Sequence, residues 1–196
     1  MATAYAIYAN RGRDVIPFAV RYVLDRDGNE VANIEREVND IIAAEEMEGT
    51  IQVVSEDVAW IMTELMRGVV DHGTATEGLR GRGGFTLAAA GKTGTTSNWT
   101  DVWFCGFTPD IAAVVWIGYD RPFMSLGMHQ AGAVIAAPIW GYFMRDIYNG
   151  MPAPVFPERP EGVVAVGGGW GLPGAVGGYF SGVDSDGKMG KMQSIL

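Results

Sequence analysis

The stretch AAGKTGTT, residues 89–96, opens a run of three segments that are rich in β-forming residues. We predict strands over residues 86–95, 102–108 and 111–119. The connections between them, SNWT and TPD, contain the turn-forming residues Asn, Pro and Asp. Connections this short join antiparallel neighbours, because a parallel crossover needs a dozen or more residues. The run therefore predicts a three-stranded antiparallel sheet.

One helix is predicted before this run of strands and another after it. The first begins after Ser55, a favourable N-cap, and ends at Gly73; Glu56 and Asp57 lie at the positive end of its dipole. The second spans residues 131–148, with Pro138 in its first turn or at a kink. Apolar residues at helical spacing predict the core-facing stripe of the first helix: Val58, Ile61, Met62, Leu65 and Val69. The predicted fold class is α+β, an antiparallel sheet flanked by helices.

Turn and capping signals predict the remaining segments. Residues 1–10 read as the end of a helix, and Asp-Gly at positions 27–28 indicates a small hairpin. Residues 45–50 are predicted as an acidic connection, and residues 78–84 as a mobile loop. Between residues 162 and 190 lie 11 of the 28 glycines. We therefore expect one domain over residues 1–160 and a flexible, Gly-rich tail over residues 161–196.

Composition argues against several classes of function. The 14 basic and 23 acidic residues leave a net charge of −9, so no nucleic-acid partner is expected. The single cysteine, Cys105, and two histidines offer no zinc ligand set, and we expect no metal or other cofactor.

The uncharged run 122–144 is long enough to cross a bilayer, but its Pro, Ser, His and Gln residues favour a loop and a buried helix. Residues 1–5 lack the pattern of a signal peptide, and we expect neither a signal peptide nor a membrane span in this chain.

Two binding motifs compete for the sequence around Lys92. A phosphate-binding loop of the form G-x-x-x-x-G-K-[ST] needs a glycine where Thr86 stands and a helix after the lysine, where a strand is predicted. Nucleotide binding is therefore not expected. The K-T-G element of penicillin-recognising serine enzymes is matched by Lys92-Thr93-Gly94 and the Thr95 that follows. On a strand edge, an ammonium and hydroxyls can hold a carboxylate, and the glycine lets the ligand approach the backbone.

The sequence around this motif resembles class A penicillin-binding proteins over about residues 1–160. The resemblance is carried by AGKTGTT at 90–96, DVWFCGFTPD at 101–110, VWIGYD at 115–120, GTA at 73–75 and AAPIW at 136–140. It implies the C-terminal part of a serine D,D-transpeptidase domain, with part of the fold shared by penicillin-binding proteins and serine β-lactamases. Such enzymes cross-link peptidoglycan stem peptides at the outer face of the cytoplasmic membrane through an acyl-enzyme, which β-lactams also form.

The resemblance implies a role for each residue of the motif. Lys92 would supply the positive charge, the hydroxyls of Thr93 and Thr95 would bind the substrate carboxylate, and Gly94 would admit the ligand. The backbone N–H of Thr95 would be one oxyanion donor. The family's nucleophile motif S-x-x-K and its S-x-N motif do not precede Lys92 in this sequence. We therefore expect no catalytic nucleophile here, an inactive chain when it is alone, and the upstream half of the domain as its partner.

Three further points remain open at the level of sequence. Ser185-Asp186-Gly187-Lys188 is a literal S-x-x-K, but it follows K-T-G in a Gly-rich context, and we predict no catalytic role for it. Trp99, Trp103 and His129 are candidates to border the cleft, and core packing is an equal alternative for Trp103. The alternative to part of an enzyme is a non-catalytic remnant or binding module from a truncated or split gene.

Overall fold

Helices pack on both faces of a three-stranded antiparallel sheet in the computed structural model, which describes residues 1–121 and 123–174. The helices are α1 (Ala2–Ala9), α2 (Ile34–Glu48), α3 (Glu56–Asp71) and α4 (Ala137–Ile147), with π-helical segments at Glu77–Arg82 and Gly132–Ala136. The strands are β1 (Tyr22–Leu24), β2 (Glu30–Asn33), β3 (Ala90–Thr95), β4 (Asp101–Phe107), β5 (Ala112–Gly118), β6 (Val164–Val166) and β7 (Gly169–Gly171). The predicted α+β class and the predicted hairpin around residues 27–28 are confirmed. None of the helices in the described part of the chain has both the length and the apolar character needed to cross a membrane.

The chain divides into two compact units, residues 1–157 and residues 158–196. The first unit contains β1 to β5 and every helix of the described residues. In the second unit, which is described up to residue 174, β6 and β7 form an antiparallel hairpin that the sequence analysis does not predict. The domain boundary predicted at residue 160 and the predicted flexibility of residues 161–196 stay predictions.

The sheet has the strand order β3-β4-β5, and both pairings are antiparallel, as predicted. Thr93 lies opposite Phe104, and Thr95 lies opposite Val102. The first strand begins at Ala90 and not at Thr86. A physical reason lies in Arg80, whose guanidinium donates to the backbone carbonyls of Phe85 and Leu87 and so holds the preceding segment away from the ladder.

Aromatic side chains fill the core on the α4 face of the sheet. The fully buried ring of Trp140 lies edge-on to Phe104 and Phe85, at centroid distances of 5.4 and 5.6 Å. Its indole N–H donates to the carbonyl of Ala113 at 3.1 Å. On the opposite face, Phe107 packs with Met66 and with side chains of α1. Because both faces of the sheet are packed, the backbone of its central strand β4 is held in place. Strand β3 pairs with β4 and lies at the edge of this sheet.

The core-facing side of α3 differs from the predicted stripe. Ser55 caps the helix as predicted, accepting from the N–H of Val58 at 3.3 Å. Leu65, however, is 63% exposed. The buried residues of the helix are Ala59, Thr63, Met66 and Val70. A hydrophobicity pattern ranks Ala and Thr low, whereas close helix packing favours such small side chains, and the Thr63 hydroxyl is satisfied by the Ala59 carbonyl at 2.9 Å.

The acidic connection predicted at residues 45–50 is wrong, because residues 45–48 are the last turn of α2. The side chain of Asn33 caps this helix by accepting from the N–H of Arg36 at 2.9 Å, and Gly49 ends it with a φ of 72°. Val38 is the only residue of α2 that is buried. A highly charged helix with so little buried surface lacks the apolar stripe by which helices are recognised.

The mobile loop predicted at residues 78–84 is also wrong, because most of it forms the π-helical segment Glu77–Arg82 with Leu79 fully buried. A Cβ on Gly83 would lie 3.0 Å from the Cα of Gly141 in α4. Arg80 donates to the Asp71 carboxylate at 2.6 Å. The glycines of this segment therefore permit close packing against α4 rather than mobility.

The Tyr148 hydroxyl anchors the turn between β4 and β5. It lies 2.6 Å from the Thr108 hydroxyl and donates to the Asp110 carboxylate at 3.2 Å. We expect Tyr148→Phe to lower the free energy of unfolding by about 1–2 kcal/mol, because the buried Thr108 hydroxyl and the Asp110 carboxylate each lose one hydrogen-bond partner. Urea denaturation measures this effect, with Tyr142→Phe at a 44% exposed position as the control. Equal losses in the two variants would contradict the assignment.

Candidate functional site

The K-T-G residues lie on a free strand edge of the sheet. Within residues 1–121 and 123–174, β3 pairs with β4 and with no other strand. The N–H of Thr96 donates to the carbonyl of Asp101 in β4 at 3.0 Å. Because successive residues of a strand direct their backbone groups to alternate sides, the N–H and carbonyl groups of Thr95 and Thr93 point to the open edge. The backbone N–H predicted as an oxyanion donor is therefore directed away from the ladder.

The ammonium of Lys92 reaches the same edge. Lys92 is exposed, and its Nζ donates to the carbonyl of Thr93 at 2.7 Å. No salt bridge involves Lys92 among the residues that the structure describes. A positive charge with no acidic partner there can attract an anionic group on a ligand.

Two threonine hydroxyls complete the edge, and each is oriented by another segment of the chain. The Thr93 hydroxyl lies 3.1 Å from the hydroxyl of Thr74, which follows α3. The Thr95 hydroxyl accepts from the N–H of Gly132 at 3.1 Å. Since a hydroxyl can donate one hydrogen bond and accept two, Thr95 retains a hydrogen to donate to a ligand oxygen. Sequence reasoning missed Thr74 as a site residue, because its only signal is the GTA segment of the resemblance.

Glycines allow the backbone around the site to pack closely. A Cβ on Gly94 would lie 3.2 Å from the Cβ of Trp103 on β4. A Cβ on Gly132 would lie 2.6 Å from the carbonyl oxygen of Gly94. Any side chain at position 132 would therefore push the segment Gly132–Ala136 away from β3 and break the contact with Thr95.

The other candidate residues take different positions. Burial raises the pKa of the Cys105 thiol, and the 2% exposed side chain belongs to the core. Trp99 is half-buried beside His129, with ring centroids 5.8 Å apart. Trp103 faces Trp116 at 6.0 Å, on the opposite side of the sheet from Thr93 and Thr95. Ser185 lies outside the described residues.

The arrangement can bind an anion at the open edge of β3. An ammonium, a pair of hydroxyls and an outward backbone N–H are all donors, and a carboxylate or a developing oxyanion is the acceptor that they match. The sequence analysis predicted four of these residues, Lys92, Thr93, Gly94 and Thr95, and the structure brings them together on one strand edge with Thr74 and Gly132.

Known proteins and one protein family match this chain. The family described as "Penicillin binding protein transpeptidase domain" matches residues 1–140. Penicillin-binding protein 1A of Neisseria lactamica is 34% identical over 168 residues, which cover 84% of this chain and 19% of that protein. Penicillin-binding protein 1A of Aquifex aeolicus is 32% identical over 164 residues, which cover 84% of this chain and 20% of that protein. The chain thus spans about a fifth of the length of these curated relatives.

Solved structures share the fold. PonA1 of Mycobacterium tuberculosis, a penicillin-binding protein, aligns with a TM-score of 0.64 and 26% identity over 88% of this chain and 43% of that chain. Penicillin-Binding Protein 1A of Haemophilus influenzae aligns with a TM-score of 0.66 and 21% identity, covering 83% of this chain and 28% of that chain. The chain belongs to the penicillin-binding protein transpeptidase domain family, in which it corresponds to the C-terminal part of the domain of class A proteins.

Proposed function

We propose that this chain supplies the K-T-G wall of a serine D,D-transpeptidase that cross-links peptidoglycan stem peptides and is acylated by β-lactams. The observation that carries the proposal is the open edge of β3. There Lys92 Nζ contacts the Thr93 carbonyl, the Thr93 and Thr95 hydroxyls are held by Thr74 and Gly132, and the Thr95 N–H points away from β4. Membership of the transpeptidase domain family supports a substrate that ends in a carboxylate.

Each residue of the edge has a separate task in this proposal. Lys92 attracts the terminal carboxylate of the stem peptide, and the hydroxyls of Thr93 and Thr95 fix its orientation by hydrogen bonds. Gly94 leaves room for the ligand backbone beside the strand. The N–H of Thr95 stabilises the oxyanion that forms when the ligand carbonyl is attacked.

The attacking serine and its base come from outside this chain in the proposal. No S-x-x-K or S-x-N precedes Lys92 in the sequence, so the upstream half of the transpeptidase domain is the partner that completes the cleft. The same sequence observation favours a second candidate, a non-catalytic binding module that retains the carboxylate site. In the catalytic case, the completed enzyme acts at the outer face of the cytoplasmic membrane.

A ligand titration tests the carboxylate site in the chain as it stands. We expect N-acetyl-D-alanyl-D-alanine to shift the backbone amide resonances of Lys92, Thr93 and Thr95 in ¹⁵N-edited NMR spectra. Its C-terminal amide should bind about tenfold or more weakly, because a charge-assisted hydrogen bond contributes about 1.5–3 kcal/mol. Equal affinities for the acid and the amide, or shifts confined to other residues, would refute the carboxylate site.

A further inference from the structure

The turn between β3 and β4 holds two consecutive residues in the left-handed region. Asn98 has a φ of 63° and Trp99 a φ of 53°, and neither residue is glycine. This conformation is tolerated by Asn but unfavourable for a bulky aromatic residue. A turn of this kind persists only where surrounding contacts hold it. Residues with such strained backbones are often found at functional sites.

Residues 125–132, which we call the turn clamp, supply those contacts. The hydroxyl of Ser125 donates to the carbonyl of Asn98 at 2.7 Å. The N–H of Leu126 donates to the carbonyl of Trp99, also at 2.7 Å. Both carbonyls of the left-handed pair are therefore acceptors for the clamp, while the ring of His129 packs beside the ring of Trp99.

The far end of the turn clamp reaches the candidate binding strand itself. The N–H of Gly132 donates to the Thr95 hydroxyl at 3.1 Å, and a side chain at position 132 would clash with Gly94. One short segment thus contacts the tip of the turn at its start and the ligand-binding end of β3 at its end. The base of the turn is closed separately, by the Thr96 hydroxyl, which accepts from the Asp101 N–H at 2.8 Å.

We propose that the turn clamp positions the carboxylate-binding end of β3, with Ser125 as its key positioning residue. This inference rests on the proposed function, because Thr95 is the residue that the clamp orients toward the ligand. While the Ser125 bond holds Asn98 in the left-handed region, Gly132 stays in register with the Thr95 hydroxyl. When that bond is lost, the turn relaxes, the clamp separates from β3, and the Thr95 hydroxyl loses its fixed orientation.

Amide hydrogen exchange measured by NMR on the full chain tests the clamp without any ligand. In Ser125→Ala, we expect the amides of Leu126 and Gly132 to exchange about threefold to tenfold faster than in the wild type, which is the effect of losing one neutral hydrogen bond. The amides of β4 and β5 should be unchanged and report that the sheet is folded. Ser97→Ala, which removes a hydroxyl from the same turn, is the matched control.

Two further variants separate a positioning role from a general loss of stability. Ser125→Thr keeps the hydroxyl and should restore slow exchange at Gly132. Asn98→Gly combined with Ser125→Ala should recover much of the protection, because glycine adopts a positive φ without help from the clamp. Neither recovery is expected if Ser125 only fills space.

Binding of N-acetyl-D-alanyl-D-alanine links the clamp to the ligand site. Ser125→Ala should weaken this binding about threefold or more, while Ser97→Ala leaves it unchanged. Unchanged exchange of the Gly132 amide in Ser125→Ala would overturn the clamp. Absence of carboxylate-specific binding in the wild type would instead overturn the proposed function, so the two failures are distinguishable.

Discussion

Benzylpenicillin is expected to leave the mass of the 196-residue chain unchanged. Acylation needs a nucleophile that an adjacent base activates, and donors that hold a carboxylate or an oxyanion cannot replace it. The one S-x-x-K of the sequence, Ser185 to Lys188, follows the K-T-G strand and is not expected to react. Intact-mass spectrometry after incubation with the antibiotic measures the result.

The matched control is the same chain joined to the upstream half of the transpeptidase domain of a curated relative, such as penicillin-binding protein 1A of Neisseria lactamica. This chimera should gain one penicilloyl group, on a serine that lies in the added half. A penicilloyl group on Ser185 of the chain alone would disprove the statement that the nucleophile is supplied from outside. A Ser185→Ala variant would then identify the reacting residue.

Lys92→Ala in the chimera is expected to slow acylation by benzylpenicillin by about one to two powers of ten. The reason is electrostatic, since the ammonium lies at the strand edge that we propose as the site for the ligand carboxylate. A charge-assisted hydrogen bond between Lys92 and the ligand carboxylate stabilises the transition state of acylation by about 1.5–3 kcal/mol. Lys92→Arg should recover part of the rate, because a planar guanidinium needs more space than an ammonium. The measurement is the second-order rate constant of acylation.

Lys188→Ala is the matched control for this experiment, because it removes the same charge outside the described residues. It should leave the rate constant unchanged. Circular dichroism of each variant verifies that the fold is intact, which is expected because Lys92 is exposed and outside the core. Equal rates for wild type and Lys92→Ala would exclude Lys92 from the site and leave the K-T-G match without a mechanism.

Local patterns were sufficient to predict the sheet and the motif that it carries. Strands β3, β4 and β5 follow each other with short turns, so their antiparallel order can be inferred from turn signals alone. The Ser55 cap and the Gly73 region bound α3 in the same way. Lys92, Thr93, Gly94 and Thr95 are contiguous, and one strand places them on one edge whatever the rest of the chain does.

Packing against distant segments determined what local patterns could not predict. Helix α2 has almost no buried face. Gly78 and Gly83 allow close contacts with residues 133 and 141, which lie too far along the chain for a local sequence pattern to include them. Leu65 was predicted to face the core but is exposed. Helix α3 packs closely on the sheet, and its buried side therefore includes small residues such as Ala59 and Thr63.

The sequence by itself determined which groups occupy the edge of β3, whereas only the tertiary structure decided how those groups are oriented. Thr74 meets Thr93 across 19 residues of sequence, and Gly132 meets Thr95 across 37. The turn clamp reaches Asn98 across 27 residues. Hydrogen bonds between such distant residues form only after the chain has folded, because closing the loops between them costs conformational entropy that core packing must offset. A pattern confined to neighbouring residues contains no record of these contacts.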